Sequence, residues 1–175
     1  HAIALKQPGL ISRIGLGTFL DPRGEGGKMN AATKEDIVEL VTLAGKEYLL
    51  YRAFPIHVAL IRGTTADERG TISMEHEAVR LEALPLACAV KASGGIVIVQ
   101  VERIAASHSI HPRRVELPGY MVDHVVVSEN PAVGHRQSLQ RVFAPEYCGE
   151  LRRSESRLVP LVKDERRIIA VRAAS

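Results

Sequence analysis

Apolar positions along the chain fall into short runs punctuated by glycine and proline. "AIALK" reads as the end of a helix closed by "KQPG", and "LISRIGLGTFLDP" as a short strand running into a glycine turn. "RGEGGKMN" is a flexible loop. In "IVELVTLAGKEYLLYRAF" the apolar spacing suits a helix as well as strands, but Ala44-Gly45 at its centre predicts a tight turn. A β-hairpin follows, with Val38, Leu40, Tyr48 and Leu50 among its strand residues. "IHVALIRG" is a short apolar strand, and "SMEHEAVRLEALPLACAVKAS" predicts a helix capped by Ser73, with Glu75 and Glu77 in its first turn. Pro85 would kink that helix, and Gly94-Gly95 would end it.

The clearest strand is "IVIVQVERI", whose opening β-branched run predicts burial on both faces; "VDHVVVS" is another. Strand, helix, strand in this order forms a βαβ unit with a right-handed crossover. The expected class is therefore α/β, a mostly parallel sheet flanked by helices, with a β-hairpin and a long irregular C-terminal stretch. "SIHPRRVELPGY" carries two prolines and reads as a loop. After "VVVSENPAVGHRQSLQ" the pattern lapses to about Asp164, and "DERRIIAVRAAS" begins a further helix.

Composition narrows the function classes. Lys and Arg number 23 against 20 Asp and Glu, and aromatics make up 4%, so no aromatic-studded basic stripe suggests nucleic acid. No apolar run approaches a membrane span. Cys88, in an apolar helical run, is expected to be a buried thiol, and with Cys148 it suggests no disulfide framework, which fits a cytoplasmic setting. The absent initiator Met and the helical scraps at both ends suggest a piece cut from a longer chain.

Ligands of open α/β sheets sit beyond the carboxyl ends of strands, where "RGTTAD" falls. There Thr64 and Thr65 offer hydroxyls, Gly63 allows close backbone approach, and Asp67 can cap the turn. The same residues are ordinary turn formers, and spacing alone favours that plainer reading. "GLGTF" is a second glycine turn, but it lacks the G-x-G-x-x-G pattern and no helix follows it, so a dinucleotide site is not expected. His108 and His111 have no carboxylate or cysteine at metal-binding spacing, and no metal site is expected. His57 and His124 are expected to be packed inside strands. Glu75, Glu77 and Glu82 would lie on one helix, with Glu75 and Glu77 read as its solvated, dipole-matched start and not as an acid pair.

Taken together, "GLGTFLDPR", "GGKMN", "YLLYRAFPIHVALIRGTTADERGTISMEHEA", "SGGIVIVQVERI" and "VELPGYMVDHVVV" resemble the family I CoA-transferases, most closely those for propionate and other short-chain acyl-CoAs, whose relatives act on 3-oxoacids. The resemblance implies CoA transfer between carboxylates. A glutamate attacks the acyl-CoA to give a mixed anhydride, and CoA returns to form a glutamyl-CoA thioester. It implies two similar α/β halves around a cleft. Residues 1–150 would be the later part of the first half, and 151–175 a linker and the start of the second.

The resemblance also implies partners and setting: acyl-CoA and short carboxylic acids, the remaining half of the same enzyme, CoA as a substrate with no permanent cofactor, and short-chain fatty acid or ketone body metabolism. An incomplete cleft exposing apolar surface adds self-association into a homo-oligomer. The family's nucleophile lies in a Ser-Glu-Asn-Gly motif. Here Ser128-Glu129-Asn130 is followed by Pro131, in a region without a nucleophile in the family, so Glu129 is not assigned to catalysis and no catalytic residue is expected. Thr71 stands where relatives usually carry asparagine. Gly15, Gly17, Thr18 and Phe19, with Gly63, Thr64, Thr65 and Asp67, are the expected cleft-lining residues. A catalytically dead half that binds a partner chain is the alternative, and a sugar-phosphate isomerase on the same architecture is a weaker third.

Overall fold

The structure is a computed structural model that describes residues 1–152, 154, 156 and 162–174. Two sheets follow one another along a continuous pair of parallel strands, and a third, antiparallel sheet is built from the N-terminal hairpin. That third sheet comprises β1 (Gly9–Ser12), β2 (Val38–Leu43) and β3 (Lys46–Arg52), in the order β1-β3-β2. Leu43 pairs with Lys46, so the connection is two residues long, and Ala44 and Gly45 take φ of 49° and 73°. Positive φ at both central positions is the type I′ geometry that matches strand twist. Residues 2–6 form turns instead of the expected helix end. Lys6 at φ 53° interrupts them, and so short a segment cannot offset helix nucleation.

The parallel sheet contains β4 (Val58–Arg62), β7 (Ile96–Val101) and β10 (His124–Val127), with β7 in the centre. The α/β class with a parallel sheet holds. Its strands do not end where the sequence suggests, however. The β4/β7 pair continues as a second parallel pair, β5 (Thr65–Asp67) with β8 (Arg103–Ala105), in a separate sheet. Bridging the break, Gly63 N–H donates to Gln100 O at 2.8 Å and Glu102 N–H to Thr64 O at 2.9 Å. "RGTTAD" is thus half strand, and "IVIVQVERI" is two strands divided at Glu102. This mixed sheet is completed by β6 (Ile72–Ser73) and β9 (Val115–Leu117), in the order β8-β5-β6-β9. The two prolines of "SIHPRRVELPGY" border β9 without interrupting it: Pro112 opens a 3-10 turn over Pro112–Arg114, and Pro118 follows the strand.

The expected helix at 73–93 is corrected to α1 (Ala83–Ala92). Ser73 is a strand residue paired with Thr65 and Val115, so its backbone is committed to the sheet and it caps nothing. Pro85 falls in the helix's first turn, where its missing N–H has no intrahelical partner to lose. The far end follows the sequence. Gly94 takes φ 74° and its N–H donates to Lys91 O, while Gly95 N–H donates to Val90 O, a Schellman closure. Cys88 in α1 is half-buried, and both cysteines are free thiols. Beyond β10 come a four-residue helix, α2 (Pro131–Gly134), irregular chain, and α3 (Glu165–Ala174). Part of the irregular stretch lies outside the described residues. Among the described residues no helix is long and apolar enough to cross a membrane.

The core lies between α1 and one face of the parallel sheet, where Val90, Val97, Val99, Val101, Ile72 and Leu117 are fully buried. Each such side chain contributes about 1.5–3 kcal/mol by leaving water. α1 packs against β4, β7 and β9. The opposite face of the same sheet carries Val58, Leu60, Ile96 and Val126, and Leu60 is 77% exposed. A parallel sheet ordinarily has cover on both faces.

Candidate functional site

The carboxyl ends of β4 and β7 are ringed by charge. β4 ends in Arg62, β7 runs into Glu102 and Arg103, and the turn after β6 brings in Glu75, His76 and Glu77. Two networks result. In the first, Glu77 accepts from Arg62 Nε and Nη2 at 2.9 and 2.8 Å, and its other oxygen lies 3.0 Å from His135 Nε2. The His135 side chain is 1% exposed and that of Glu77 9%. Arg62 Nη1 also donates to Arg136 O at 2.7 Å, and Gln137 Nε2 to His76 O at 2.7 Å, so the segment after α2 is strapped across the 74–77 turn.

In the second network Glu75 Oε1 accepts from Thr65 Oγ1 at 2.5 Å and Arg103 Nη2 at 2.9 Å. Arg103 Nη1 donates to Glu102 Oε2 at 3.2 Å, and that oxygen lies 3.0 Å from His76 Nδ1. Phe143 packs on the His76 ring with centroids 4.6 Å apart. Burial works against charge on Glu75, yet the Ser73 and Thr65 hydroxyls and the Arg103 guanidinium outweigh it and hold the carboxyl below its usual range. Chemically, these are neutralised and immobilised carboxylates. Each glutamate oxygen that faces a cation is engaged in a hydrogen bond, which leaves it poorly placed to act as a nucleophile.

The sequence pattern suggests a solvated helix start for Glu75 and Glu77 and does not single out His76 or His135. The two-residue spacing of the glutamates does not match the three or four of a helix face. Nothing in the local sequence marks His135, which reaches Glu77 across 58 residues. His57 lies just before β4 and His124 within β10, and both are exposed, so neither packs in the core.

The expected lining residues divide between two sheets. Gly63 and Thr64 spend their N–H groups on Gln100 O and Ser73 O, so neither amide is left for a ligand. Gly63 is required for packing, since a Cβ there would lie 2.4 Å from Ile72 Cγ2. Thr64 is fully buried and its hydroxyl accepts from His76 N–H at 3.0 Å. Thr65 borders a cavity. Gly15, Gly17, Thr18 and Phe19 form turns beside β3: Thr18 Oγ1 donates to Gly15 O, Gly17 N–H donates to Asp21 Oδ2, and Phe19 is 56% exposed. Among the described residues no group of three or more His, Cys, Asp or Glu is placed to hold a metal.

Asp67 does cap its turn. Its Oδ1 accepts from Arg69 N–H at 3.0 Å and Thr71 N–H at 2.9 Å, and Oδ2 from His108 N–H at 3.2 Å. Burial opposes its charge, but the Thr71, His108 and Arg69 backbone donors together keep its pKa below the ordinary value. A depressed folded pKa means stability that is present above the unfolded value, near 3.9, and is lost as pH falls through the folded one. Asp67→Asn is expected to cost about 2 kcal/mol at pH 7. It should also flatten the loss of stability below about pH 4. Urea midpoints measured from pH 7 downward check both; an unchanged acid slope would remove Asp67 from this role.

The profile of the family described as coenzyme A transferase matches residues 1–128. Caffeate CoA-transferase of Acetobacterium woodii is 49% identical over 173 residues, covering 98% of this chain and 33% of that relative. The crystal structure of the acyl-CoA transferase YdiF of Escherichia coli O157:H7, as a thioester complex with CoA, aligns with a TM-score of 0.82 at 42% identity, over 98% of this chain and 33% of that one. Acetate CoA-transferase subunit alpha of Escherichia coli K12 is 29% identical over 132 residues, 73% of this chain and 56% of the subunit. The chain spans about a third of the length of the first two.

Proposed function

The chain belongs to the coenzyme A transferase family, and on that premise we propose that it forms part of an enzyme moving CoA between a short-chain acyl-CoA and a carboxylic acid such as acetate, propionate or a 3-oxoacid. The observation carrying this reading is the 42% identity, along nearly the whole chain, to a transferase solved as a CoA thioester. The reaction would run through a glutamyl-CoA thioester. A carboxylate displaces CoA thiolate from the acyl-CoA, and the thiolate then takes the glutamyl carbonyl from the mixed anhydride and releases the acid. The acceptor carboxylate repeats the sequence in reverse.

The nucleophile in this reading lies outside the 175 residues. Glu75, Glu77 and Glu102 are each held by cations within the ring described above, which supports a scaffolding part for them. Thr65 and the Gly15–Phe19 turn would line the cleft, with Gly63, Thr64 and Asp67 supporting it from beneath. The remaining half of the enzyme would complete the cleft, as a continuation of the chain or as a second subunit. The match to a separate alpha subunit supports the second arrangement.

The full-length protein is expected to exchange CoA between acetyl-CoA and propionate. Borohydride reduction during turnover, followed by peptide mass spectrometry, should locate the modified glutamate outside residues 1–175. Failure with every short acid tried would refute the transferase reading, and a reduced glutamate inside this span would refute its placement of the nucleophile.

A further inference from the structure

The turn between β8 and β9 carries charge that neither network uses. His111 begins it, Pro112 fixes its first φ, and Arg113 and Arg114 close it. A cavity of about 410 Å³ lies between this turn and the mixed sheet of β5, β6, β8 and β9, bounded by Thr65, Glu75, Arg103, Ser109, His111 and Arg114. Glu75 and Arg103 neutralise each other at 2.9 Å. Arg103 also reaches Glu102, but that carboxylate faces His76 and does not border the cavity. The Arg114 guanidinium has no ion-pair or hydrogen-bond partner among the described residues. His111 Nδ1 accepts the Arg113 N–H at 3.2 Å, which in the neutral ring places the proton on Nε2 as an unspent donor.

From this geometry we infer that the cavity is a binding site for a small carboxylate, held by Arg114 through paired N–H donors and assisted by His111. The charge count selects the class. With Glu75 and Arg103 cancelled, one positive charge is left, which a carboxylate balances. A phosphate monoester at about −1.5 to −2 overshoots it. The adjoining cavity, which shares Arg114 and Glu75, is bordered by Glu77, Glu116 and Glu150; Arg80 on its wall cancels Glu116, and the remaining excess of carboxylates directs an anion to the Thr65 side. The site stands on this cavity alone. That its occupant is an acid of the transfer reaction rests additionally on the reading above, so binding and not turnover is the readout.

Phenylglyoxal, which adds to guanidinium groups, gives a residue-specific test in the full-length protein. Arg113, adjacent in sequence but absent from the cavity wall, is the internal control. Modification of each arginine is followed by peptide mass spectrometry in sodium chloride, sodium propionate and inorganic phosphate at equal ionic strength. Propionate at about ten times its dissociation constant should slow the reaction at Arg114 about tenfold and leave Arg113 unchanged. Equal rates at Arg114 in propionate and chloride, or equal slowing at both arginines, would overturn the site. Stronger protection by phosphate than by propionate would overturn the carboxylate assignment.

Discussion

Glu77→Ala is expected to lower stability by about 3 kcal/mol, because removing the buried carboxylate leaves the half-buried Arg62 charge and the enclosed His135 ring without compensation. The stranded groups are identifiable. Arg62 loses the acceptor of two of its N–H donors, and His135, enclosed at 1% exposure, loses its one side-chain hydrogen-bond partner among the described residues. The damage should be regional. Arg62 and Gln137 hold the segment after α2 to the 74–77 turn, so amide exchange should rise in residues 74–77 and 135–144 before β7 is affected. Glu77→Gln keeps the shape and one acceptor oxygen and should cost less. Replacing Arg62 and Glu77 together by Met and Leu should recover much of the loss, since apolar replacement of a whole buried pair is often close to neutral. Urea midpoints for the four proteins decide it; a Glu77→Ala loss under about 0.5 kcal/mol would mean the network holds nothing.

Gly119→Ala should be comparably severe, at about 3 kcal/mol, the upper range for overpacking. The added Cβ would fall 2.1 Å from Arg69 O and 3.2 Å from Thr71 N, and both are backbone atoms that cannot swing aside. Gly119 follows Pro118 in a 3-10 turn over Gly119–Met121, directly against the turn capped by Asp67, and Gly70 opposite takes φ 80°. Two glycines thus let two turns from distant parts of the sequence touch through their backbones. Gly45→Ala, at a position with open space around it, is the comparison: it meets only the positive-φ penalty, about 1 kcal/mol. Similar losses for the two variants would show that the close approach is not what Gly119 provides.

What could be read in advance was local. Ala44-Gly45 declared the hairpin because only a few residue pairs tolerate positive φ twice. The β-branched run at 96–99 declared a strand, though not its burial, which is confined to the Val97 and Val99 face instead of both; Gly94-Gly95 declared the helix end, since each signal lies within a few residues of its effect. Position 73 misled for the converse reason. Ser73 followed by Glu75 and Glu77 resembles a helix start, while pairing with Thr65 and Val115, at separations no local pattern encodes, holds it in a strand. The charged ring was illegible on the same grounds: Arg62, Glu77 and His135 meet only after the sheet has formed. The family resemblance extended through the loops, and so reached the family that periodicity could not.

The bare row of Val58, Leu60, Ile96 and Val126 has a practical outcome. A polypeptide restricted to these 175 residues would present an adhesive stripe to every neighbour in solution. Its solubility, yield and apparent molecular mass would then report on that stripe and on whatever is supplied to shield it. Biochemistry intended to describe the reaction belongs in a preparation where the outer side of the sheet is already occupied.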